Sequence, residues 1–295
     1  MELSDYRQRI DAIDAQLIKL FVERMDTAAD IAQYKKERGM KALDPARERE
    51  KLNAIASMAP KELSEYAVSL YSLMFELSRS RQNRIIGASS PLTDEIDRAV
   101  KNTPSLFPRH ATAACLEAEK AYSHAACEKL FARADMQFFP TLEAVFSATE
   151  QGLCRYGVIP VEAGTANGMG AVYEMLSKHN FKIVRSVKLN APDGCTRFIC
   201  ISRQPEIYPD ANRTSLMAAL PHEQTSLYAV LSRLRAQEMR LIRLEGRPLA
   251  GQDFGFMLYF DIEATVGSPG FMQFMGELSI GCEGLTYLGS YTETV

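Results

Sequence analysis

The feature that most constrains the fold is an apolar ladder through the first 38 residues, which contain no glycine or proline. Its members recur at spacings of three and four, as in Ile10, Ile13, Leu17 and Leu20. This spacing places them on one face of a helix, which we expect from about Ser4 to Arg38. At about 1.5 Å per residue that helix is roughly 50 Å long. An 86-residue domain cannot cover such a long face alone, so the pattern predicts packing against a second copy of the chain.

Two further helices are expected before residue 87. Gly39 ends the first helix, and the pair Asp44-Pro45 is typical of a helix start, with Asp44 as N-cap and Pro45 in the first helical position. A break at Pro60 precedes a third helix over about 62–84. Residues 1–86 are therefore predicted to form an all-helical domain.

The remaining sequence predicts mixed structure. Residues 87–110 contain several prolines and are expected to be a linker with one short helix around 94–101. Helical and strand patterns alternate over 111–204, which is typical of an α/β lobe. Residues 212–295 follow a strand, helix, strand, strand, helix, strand order, which is the ferredoxin-like α+β plan.

Composition excludes several classes of protein. The 295 residues, 46% of them hydrophobic, carry a formal charge of -3 from 34 basic and 37 acidic side chains. This balance argues against nucleic acid as a partner. With no apolar run of 18 residues and no signal-like start, neither a membrane partner nor export is expected, so a cytoplasmic location is predicted. The six cysteines form no C-x-x-C pair, and no metal or other cofactor is predicted.

Polar side chains interrupt the inward faces of all three predicted helices. Arg24 and Lys35 occupy ladder positions of the first helix, with Arg7 near its start. The second helix carries Arg47 and Glu48, and the third carries Ser78 and Gln82. Each cation alone could extend from the apolar face to water. Their convergence instead favours a pocket for a small dianion, with no nucleophile–base pair, so that catalysis would rely on positioning and fixed charge.

The residues of this region resemble the all-helical chorismate mutases, including those fused to prephenate dehydratase. The matching string is Arg7-x-x-Ile10-x-x-Ile13-Asp14, Glu23-Arg24, Ile31-Ala32-x-x-Lys35, Asp44-Pro45-x-Arg47-Glu48-Arg49-Glu50 and Ser78-x-x-x-Gln82. The resemblance implies rearrangement of chorismate to prephenate within an intertwined homodimer.

The resemblance also implies a role for each pocket residue. Arg24 and Arg47 would bind carboxylates, together with Arg7 from the other subunit. Lys35 and Gln82 would donate hydrogen bonds to the ether oxygen. The ring hydroxyl would be held by three groups, namely Glu48, the Asp44 backbone and, in a supporting role, Ser78.

From about Ala111 the chain resembles prephenate dehydratase with parts missing. Tyr156-Gly157-Val158-Ile159-Pro160-Val161-Glu162 is similar to a family strand and turn, followed here by Ala163-Gly164-Thr165. Thr196-Arg197-Phe198 matches the catalytic T-R-F motif. Only residues 190–195, including the turn sequence Pro192-Asp193-Gly194, separate it from the preceding strand, where the family has a whole second lobe. We therefore expect a degenerate site at Thr165, Thr196, Arg197 and Phe198, in which Thr196 and Arg197 are structural.

The final segment resembles the phenylalanine-binding ACT domain. Glu245-Gly246-Arg247-Pro248 corresponds to E-S-R-P, and Gln224-Thr225-Ser226-Leu227 corresponds to the P-G-[AS]-L turn. The resemblance implies an effector site at Ser226, Leu227, Glu245 and Arg247. Threonine in place of the turn glycine disfavours this site, so a dimerising module is preferred.

Three functional hypotheses follow from these patterns. The first is a chorismate mutase with a non-catalytic dehydratase remnant. The second is a bifunctional mutase and dehydratase that makes phenylpyruvate, with the missing cleft rebuilt by neighbouring subunits. The third treats the C-terminal part as a regulatory or assembly module for the mutase.

Overall fold

The computed structural model describes residues 2–87, 90–161, 168–191, 194–221, 224–248, 255–281 and 284–294. The chain groups into two compact units, Met1–Ala88 with Tyr228–Ala236, and Ser89–Leu227 with Gln237–Val295. No helix within the described ranges combines the length and the apolar composition that crossing a membrane requires.

Three long helices make up the N-terminal part of the first unit, Met1–Ala88. They are α1 (Leu3–Glu37), α2 (Pro45–Met58) and α3 (Ser64–Ile86), with a 3-10 turn at Lys61–Leu63 before α3. The predicted N-terminal helical domain is confirmed, with helix ends that differ by one or two residues from the predicted ones. Such small shifts are expected because the end turns of helices are the least regular.

The junction between α1 and α2 is fixed by local backbone geometry. Gly39 has a φ of 62°, a left-handed conformation that suits glycine. The N–H of Met40 donates to the carbonyl of Lys35 at 2.9 Å, which closes the end of α1. The predicted start of α2 is also confirmed, because the Asp44 side chain accepts the N–H of Arg47 at 3.1 Å.

Only the C-terminal half of α1 is covered within its own chain. Its buried side chains are Met25, Ala28 and Ala32. The ladder residues of the N-terminal half are 48–62% exposed, and these are Ile10, Ile13, Leu17 and Leu20.

The second unit begins with alternating helices and strands. The elements are α4 (Pro91–Asn102), β1 (His110–Leu116), α5 (Lys120–Leu130), β2 (Arg133–Phe139), α6 (Leu142–Glu150), β3 (Tyr156–Pro160), α7 (Gly168–Lys178), β4 (Lys182–Ala191) and β5 (Gly194–Ser202). The expected α/β character is confirmed.

Two details of this region differ from the sequence predictions, and a third agrees with them. Strand β1 was not predicted, because the alanine-rich stretch His110–Leu116 has neither strong β-propensity nor an alternating pattern. The helical pattern of residues 123–133 predicts a helix over that range, but α5 lies at Lys120–Leu130, and Arg133 already belongs to β2. The short helix expected in the linker is α4, which is capped by Ser90.

The unit continues as β6 (Arg213–Pro221), α8 (Gln224–Ala236), β7 (Arg240–Pro248), β8 (Gly255–Glu263), α9 (Pro269–Gly281) and β9 (Thr286–Thr294). These strands lie in the order β9-β6-β8-β7 with antiparallel neighbours. This is the strand order of the predicted ferredoxin-like plan.

The nine strands within the described residues belong to one sheet in the order β2-β1-β3-β5-β4-β9-β6-β8-β7. β4 and β5 pair directly up to Ala191 and Gly194, as the turn sequence predicted, although Pro192 and Asp193 lie outside the described residues. The two halves of the sheet join where β4 pairs in parallel with β9. At this join Gly289 has a φ of 138°, and a Cβ added there would lie 2.2 Å from the carbonyl oxygen of Ile183.

One hydrophobic core spans the join between the two halves of the sheet. It combines Tyr173 and Ile183 from the first half with Met217 and Tyr259 from the second. The regions that the sequence suggested as separate domains, 111–204 and 212–295, therefore share a sheet and a core.

Candidate active site

A cavity of about 660 Å³ lies between α1, α2 and α3. Seven of the eight residues that the sequence analysis assigned to the mutase pocket line it, namely Arg24, Lys35, Asp44, Arg47, Glu48, Ser78 and Gln82. The cavity therefore brings together side chains from three helices and from the α1–α2 junction. Its volume falls within the usual range for small-molecule sites.

Arg24 and Gln82 leave hydrogen-bonding groups unused in this cavity. Arg24 Nη1 and Gln82 Oε1 are buried and have no hydrogen-bond partner among the described residues. The guanidinium of Arg24 also lies 5.3 Å from the centre of the Phe75 ring. Because buried polar atoms without partners are costly, they point to a polar ligand in the cavity.

Lys35 is held by the backbone of the junction. Its Nζ donates to the carbonyl oxygen of Ala42 at 2.6 Å. This contact depends on the turn at Gly39, which brings residue 42 back toward the last turn of α1. An ammonium has three donors, so two remain for a ligand.

Unlike Arg24, Arg47 is exposed and already forms an ion pair. It donates to both carboxylate oxygens of Glu50 at 2.8 Å, and its side chain is 55% exposed. An ion pair this exposed is weak. Arg47 could therefore exchange Glu50 for the carboxylate of a ligand at little cost.

Glu48 is held by Arg79, a cavity residue that the sequence analysis did not select. Arg79 Nη1 donates to both oxygens of Glu48, and its Nη2 donates to Glu76 on the same helix. The i, i+3 spacing of Glu76 and Arg79 was visible in the sequence. The same spacing is common for surface pairs, so it gave no specific signal.

Arg7 is the eighth predicted residue, and it does not line the cavity. It lies on the exposed N-terminal half of α1. Its predicted role requires a second subunit and stays a prediction.

The residues of the T-R-F motif are placed by β5. Phe198 is fully buried in a hydrophobic cluster, and Thr196 is half-buried opposite Leu189 on β4. Arg197 is 5% exposed, and its Nη1 donates to Asp261 at 2.7 Å. Thr165 lies outside the described residues.

Arg197 belongs to a buried polar network, which we call the Arg197 cluster and which comprises Arg197, Asp261, Ser215, Tyr173 and Tyr291. The second oxygen of Asp261 accepts from Ser215 at 2.5 Å and from Tyr173 at 2.9 Å. Burial, reinforced by the Asp261 carboxylate, raises the pKa of Tyr173 well above its usual value, so its hydroxyl stays a donor. The cluster accepts hydrogen bonds from both Nη atoms of Arg197 and pairs its charge with a buried carboxylate.

The residues of the possible effector site are only partly described. Glu245 accepts from Arg247 Nε at 2.9 Å, and the Arg247 guanidinium lies so close to Gly170 of α7 that a Cβ there would be 2.6 Å away. Leu227 is half-buried, and the side chain of Ser226 is outside the described part of the chain. Glu245 and Arg247 thus already contact each other and, through Arg247, helix α7.

Two regions of the chain match known protein families. Residues 6–83 match the chorismate mutase type II family, and residues 113–191 match the prephenate dehydratase family. The chain carries a chorismate mutase domain followed by a prephenate dehydratase domain. The mutase domain contains the whole cavity, whereas the dehydratase match ends before Thr196.

Relatives with both domains are similar along the chain. The bifunctional chorismate mutase/prephenate dehydratase of Escherichia coli strain K12 is 20% identical, covering 97% of this chain and 95% of that protein. The enzyme of the same name from Buchnera aphidicola is 27% identical over 62% of this chain. The match spans about half of the Buchnera protein, 46% of its length.

A solved structure shows the fold of the second unit. Prephenate dehydratase from Arthrobacter aurescens, determined in complex with L-Phe, covers 61% of this chain and 90% of its own. The TM-score is 0.54 at 14% identity, so the likeness concerns the fold.

Proposed function

We propose that this protein is a chorismate mutase whose dehydratase-like region does not catalyse dehydration. The observation that carries the mutase proposal is the cavity between α1, α2 and α3, in which Arg24 Nη1 and Gln82 Oε1 lack partners. A dianion with an ether and a hydroxyl would satisfy these atoms together with the remaining donors of Lys35.

The reaction is an intramolecular rearrangement, in which the ether C–O bond breaks as a C–C bond forms. It needs no proton transfer and no cofactor. Arg24 and Arg47 would hold the two carboxylates so that the reacting carbons meet. Lys35 and Gln82 would stabilise the negative charge that builds on the ether oxygen in the transition state. Rotation of the Gln82 amide exchanges its oxygen and nitrogen, so the side chain can present a donor.

The active unit is proposed to be a homodimer. Support comes from the exposed ladder of α1, where Ile10, Ile13, Leu17 and Leu20 form a long apolar face. A second copy of α1 would cover this face and bring its Arg7 to the cavity. We also propose a cytoplasmic location, in keeping with the free, buried state of Cys115, Cys127, Cys154 and Cys200.

Two observations support the loss of dehydratase activity. The alignment with the Escherichia coli enzyme is 378 positions long, whereas this chain has 295 residues, so more than 80 positions have no counterpart here. In addition, Arg197 is buried and paired with Asp261. A bifunctional enzyme is the second candidate, and it is favoured by the dehydratase family match over 113–191.

We further propose that residues 212–295 form an ACT-like assembly module. Its strand order supports the fold, and Thr225, in place of the turn glycine of the resembling family, argues against an effector site. Millimolar phenylalanine should therefore leave the melting temperature unchanged. A clear rise would favour the sensor alternative.

The experiment that tests the function is incubation of the purified chain with chorismate. We expect prephenate to form, and phenylpyruvate to stay at the level of a protein-free control. Phenylpyruvate above that level would show that dehydratase activity is retained. Absence of prephenate would contradict the mutase proposal.

A matched pair of variants tests the cavity. Lys35→Ala should lower kcat by about 100-fold or more, because it removes a donor to the developing oxyanion. Lys36→Ala is the control, since Lys36 donates to the carbonyl of Ile85 and does not line the cavity. Wild-type turnover by Lys35→Ala would refute the site.

A further inference from the structure

A chain of ion pairs leads from α8 to the wall of the mutase cavity. The segment Tyr228–Ala236 of α8 belongs to the same compact unit as α1, α2 and α3. Within it, Arg233 contacts Glu76 of α3, which lies 157 positions away in sequence. Glu76 also contacts Arg79, and Arg79 holds Glu48. We call Arg233, Glu76, Arg79 and Glu48 the ion-pair chain.

In the ion-pair chain, each carboxylate oxygen of Glu76 is contacted by a different arginine. Arg233 Nε and Nη2 lie 3.0 Å and 2.7 Å from Glu76 Oε2. Arg79 Nη2 takes the other oxygen of Glu76, so that Arg79 Nη1 is left for both oxygens of Glu48. Each carboxylate of the chain is thereby satisfied.

Burial makes this division important. The side chains of Glu76, Arg79 and Arg233 are 9%, 14% and 14% exposed, and Glu48 is 25% exposed. Buried charges are costly unless they are paired. Two arginines balance two carboxylates in the intact chain. Without Arg233, two carboxylates would compete for Arg79, and a bidentate pair with Glu76 would draw its guanidinium away from Glu48.

We infer that Arg233 is a positioning residue for the mutase cavity. By occupying Glu76 Oε2, it leaves Arg79 free to hold Glu48 in the orientation that binds the ring hydroxyl. This inference rests on the proposed function, in which Glu48 contacts the substrate. It makes mutase turnover depend on a side chain far from the mutase domain in sequence.

The test uses the full chain and steady-state kinetics with chorismate. Arg233→Ala should lower kcat roughly tenfold, the range expected for residues within one ion-pair network. The matched control is Arg235→Ala, because Arg235 is an exposed arginine on the same helix and its loss changes the net charge equally. We expect that control to stay within about twofold of wild type.

A second substitution separates positioning from a general structural role. Glu76→Gln removes the carboxylate that competes for Arg79. The double variant Arg233→Ala/Glu76→Gln should therefore regain most of the turnover that Arg233→Ala loses. A merely structural role predicts that the double variant is at least as impaired as the single one, which would overturn the inference.

The remaining outcomes are equally decisive. Wild-type kcat in Arg233→Ala would also overturn the inference, while leaving the proposed function intact. If the wild-type chain does not convert chorismate, the proposed function fails, and the inference fails with it. If Arg233→Ala does not fold, Arg233→Gln keeps the first three side-chain carbons and a polar end but removes the charge, and the same loss and the same recovery by Glu76→Gln are expected.

Discussion

Individual side chains are used very differently in the two units. In the cavity, Arg24 keeps a buried nitrogen without a partner among the described residues, whereas Arg197 in β5 donates from both Nη atoms to the Arg197 cluster and lies with its Nε 3.4 Å from the Glu293 carboxylate. An arginine with unused donors can bind a ligand. An arginine whose charge is paired with a buried carboxylate stabilises the fold instead, because freeing it would leave Asp261 buried and partly unpaired.

This contrast gives a prediction at the residue scale. Arg197→Met should lower the free energy of unfolding of the second unit by about 3–5 kcal/mol, since it leaves the Asp261 carboxylate buried without its cation. Urea unfolding followed by circular dichroism would measure the change. The control is Thr196→Ala at the neighbouring position, which should lower the free energy of unfolding by no more than about 1 kcal/mol.

A further variant tests the cause of that loss. The double variant Asp261→Asn/Arg197→Met should lose less free energy of unfolding than the sum of the losses in the two single variants. The reason is that the double variant leaves neither charge buried without its partner. Strictly additive costs would show that Arg197 and Asp261 are not coupled.

The sequence predicted those residues of the candidate site that interrupt the apolar face of a helix. Arg24, Lys35 and Gln82 interrupt apolar faces, so each was noticeable in the sequence. Arg79 was missed, because its importance comes from the partners it meets, Glu48 on another helix and Glu76 on its own. Nothing in the sequence shows that Arg233 reaches Glu76, since only folding brings these positions together.

At the scale of elements, helices and turns were easier to predict than strands. The capping pair Asp44-Pro45 and the glycine at position 39 act through local backbone geometry, which the sequence displays directly. β1 lies between β2 and β3 in the interior of the sheet, so its side chains need not alternate between polar and apolar. Its pairing, and the join between β4 and β9, depend on contacts distant in sequence.

Gly289 gives the prediction for this scale. Gly289→Ala should cost at least about 3 kcal/mol, because the residue has a positive φ and its Cβ would collide with the backbone of Ile183. Gly267→Ala is the matched control, since nothing lies within 4 Å of its Cβ position. Thermal unfolding by circular dichroism measures both. Equal melting temperatures would contradict the described join between β4 and β9.

At the scale of the whole molecule, the proposed dimer predicts complementation between inactive chains. If Arg7 serves the cavity of the other subunit, a mixed dimer of Arg7→Ala and Arg24→Ala chains contains one intact site. Random pairing after co-expression should then restore about a quarter of wild-type mutase activity, because half of the dimers are mixed.

The control pairs two variants altered in the same cavity. Arg24→Ala mixed with Lys35→Ala should show no recovery, since every mixed dimer then has a defect in both cavities. No recovery with Arg7→Ala and Arg24→Ala would contradict the proposed role of Arg7 in the cavity of the other subunit. Wild-type turnover by Arg7→Ala alone would place Arg7 outside both cavities.

The position of β9 in the sheet has a consequence for how the protein is made. β9 lies between β4 and β6, although about 100 residues separate the ends of β4 and β9 in the chain. At about 5–20 residues per second, a ribosome needs about 5–20 s to travel that distance. During this interval β4 has a free edge, which other nascent strands could pair with. The edge of β4 that β9 covers therefore stays unpaired until the last strand of the sheet has been made.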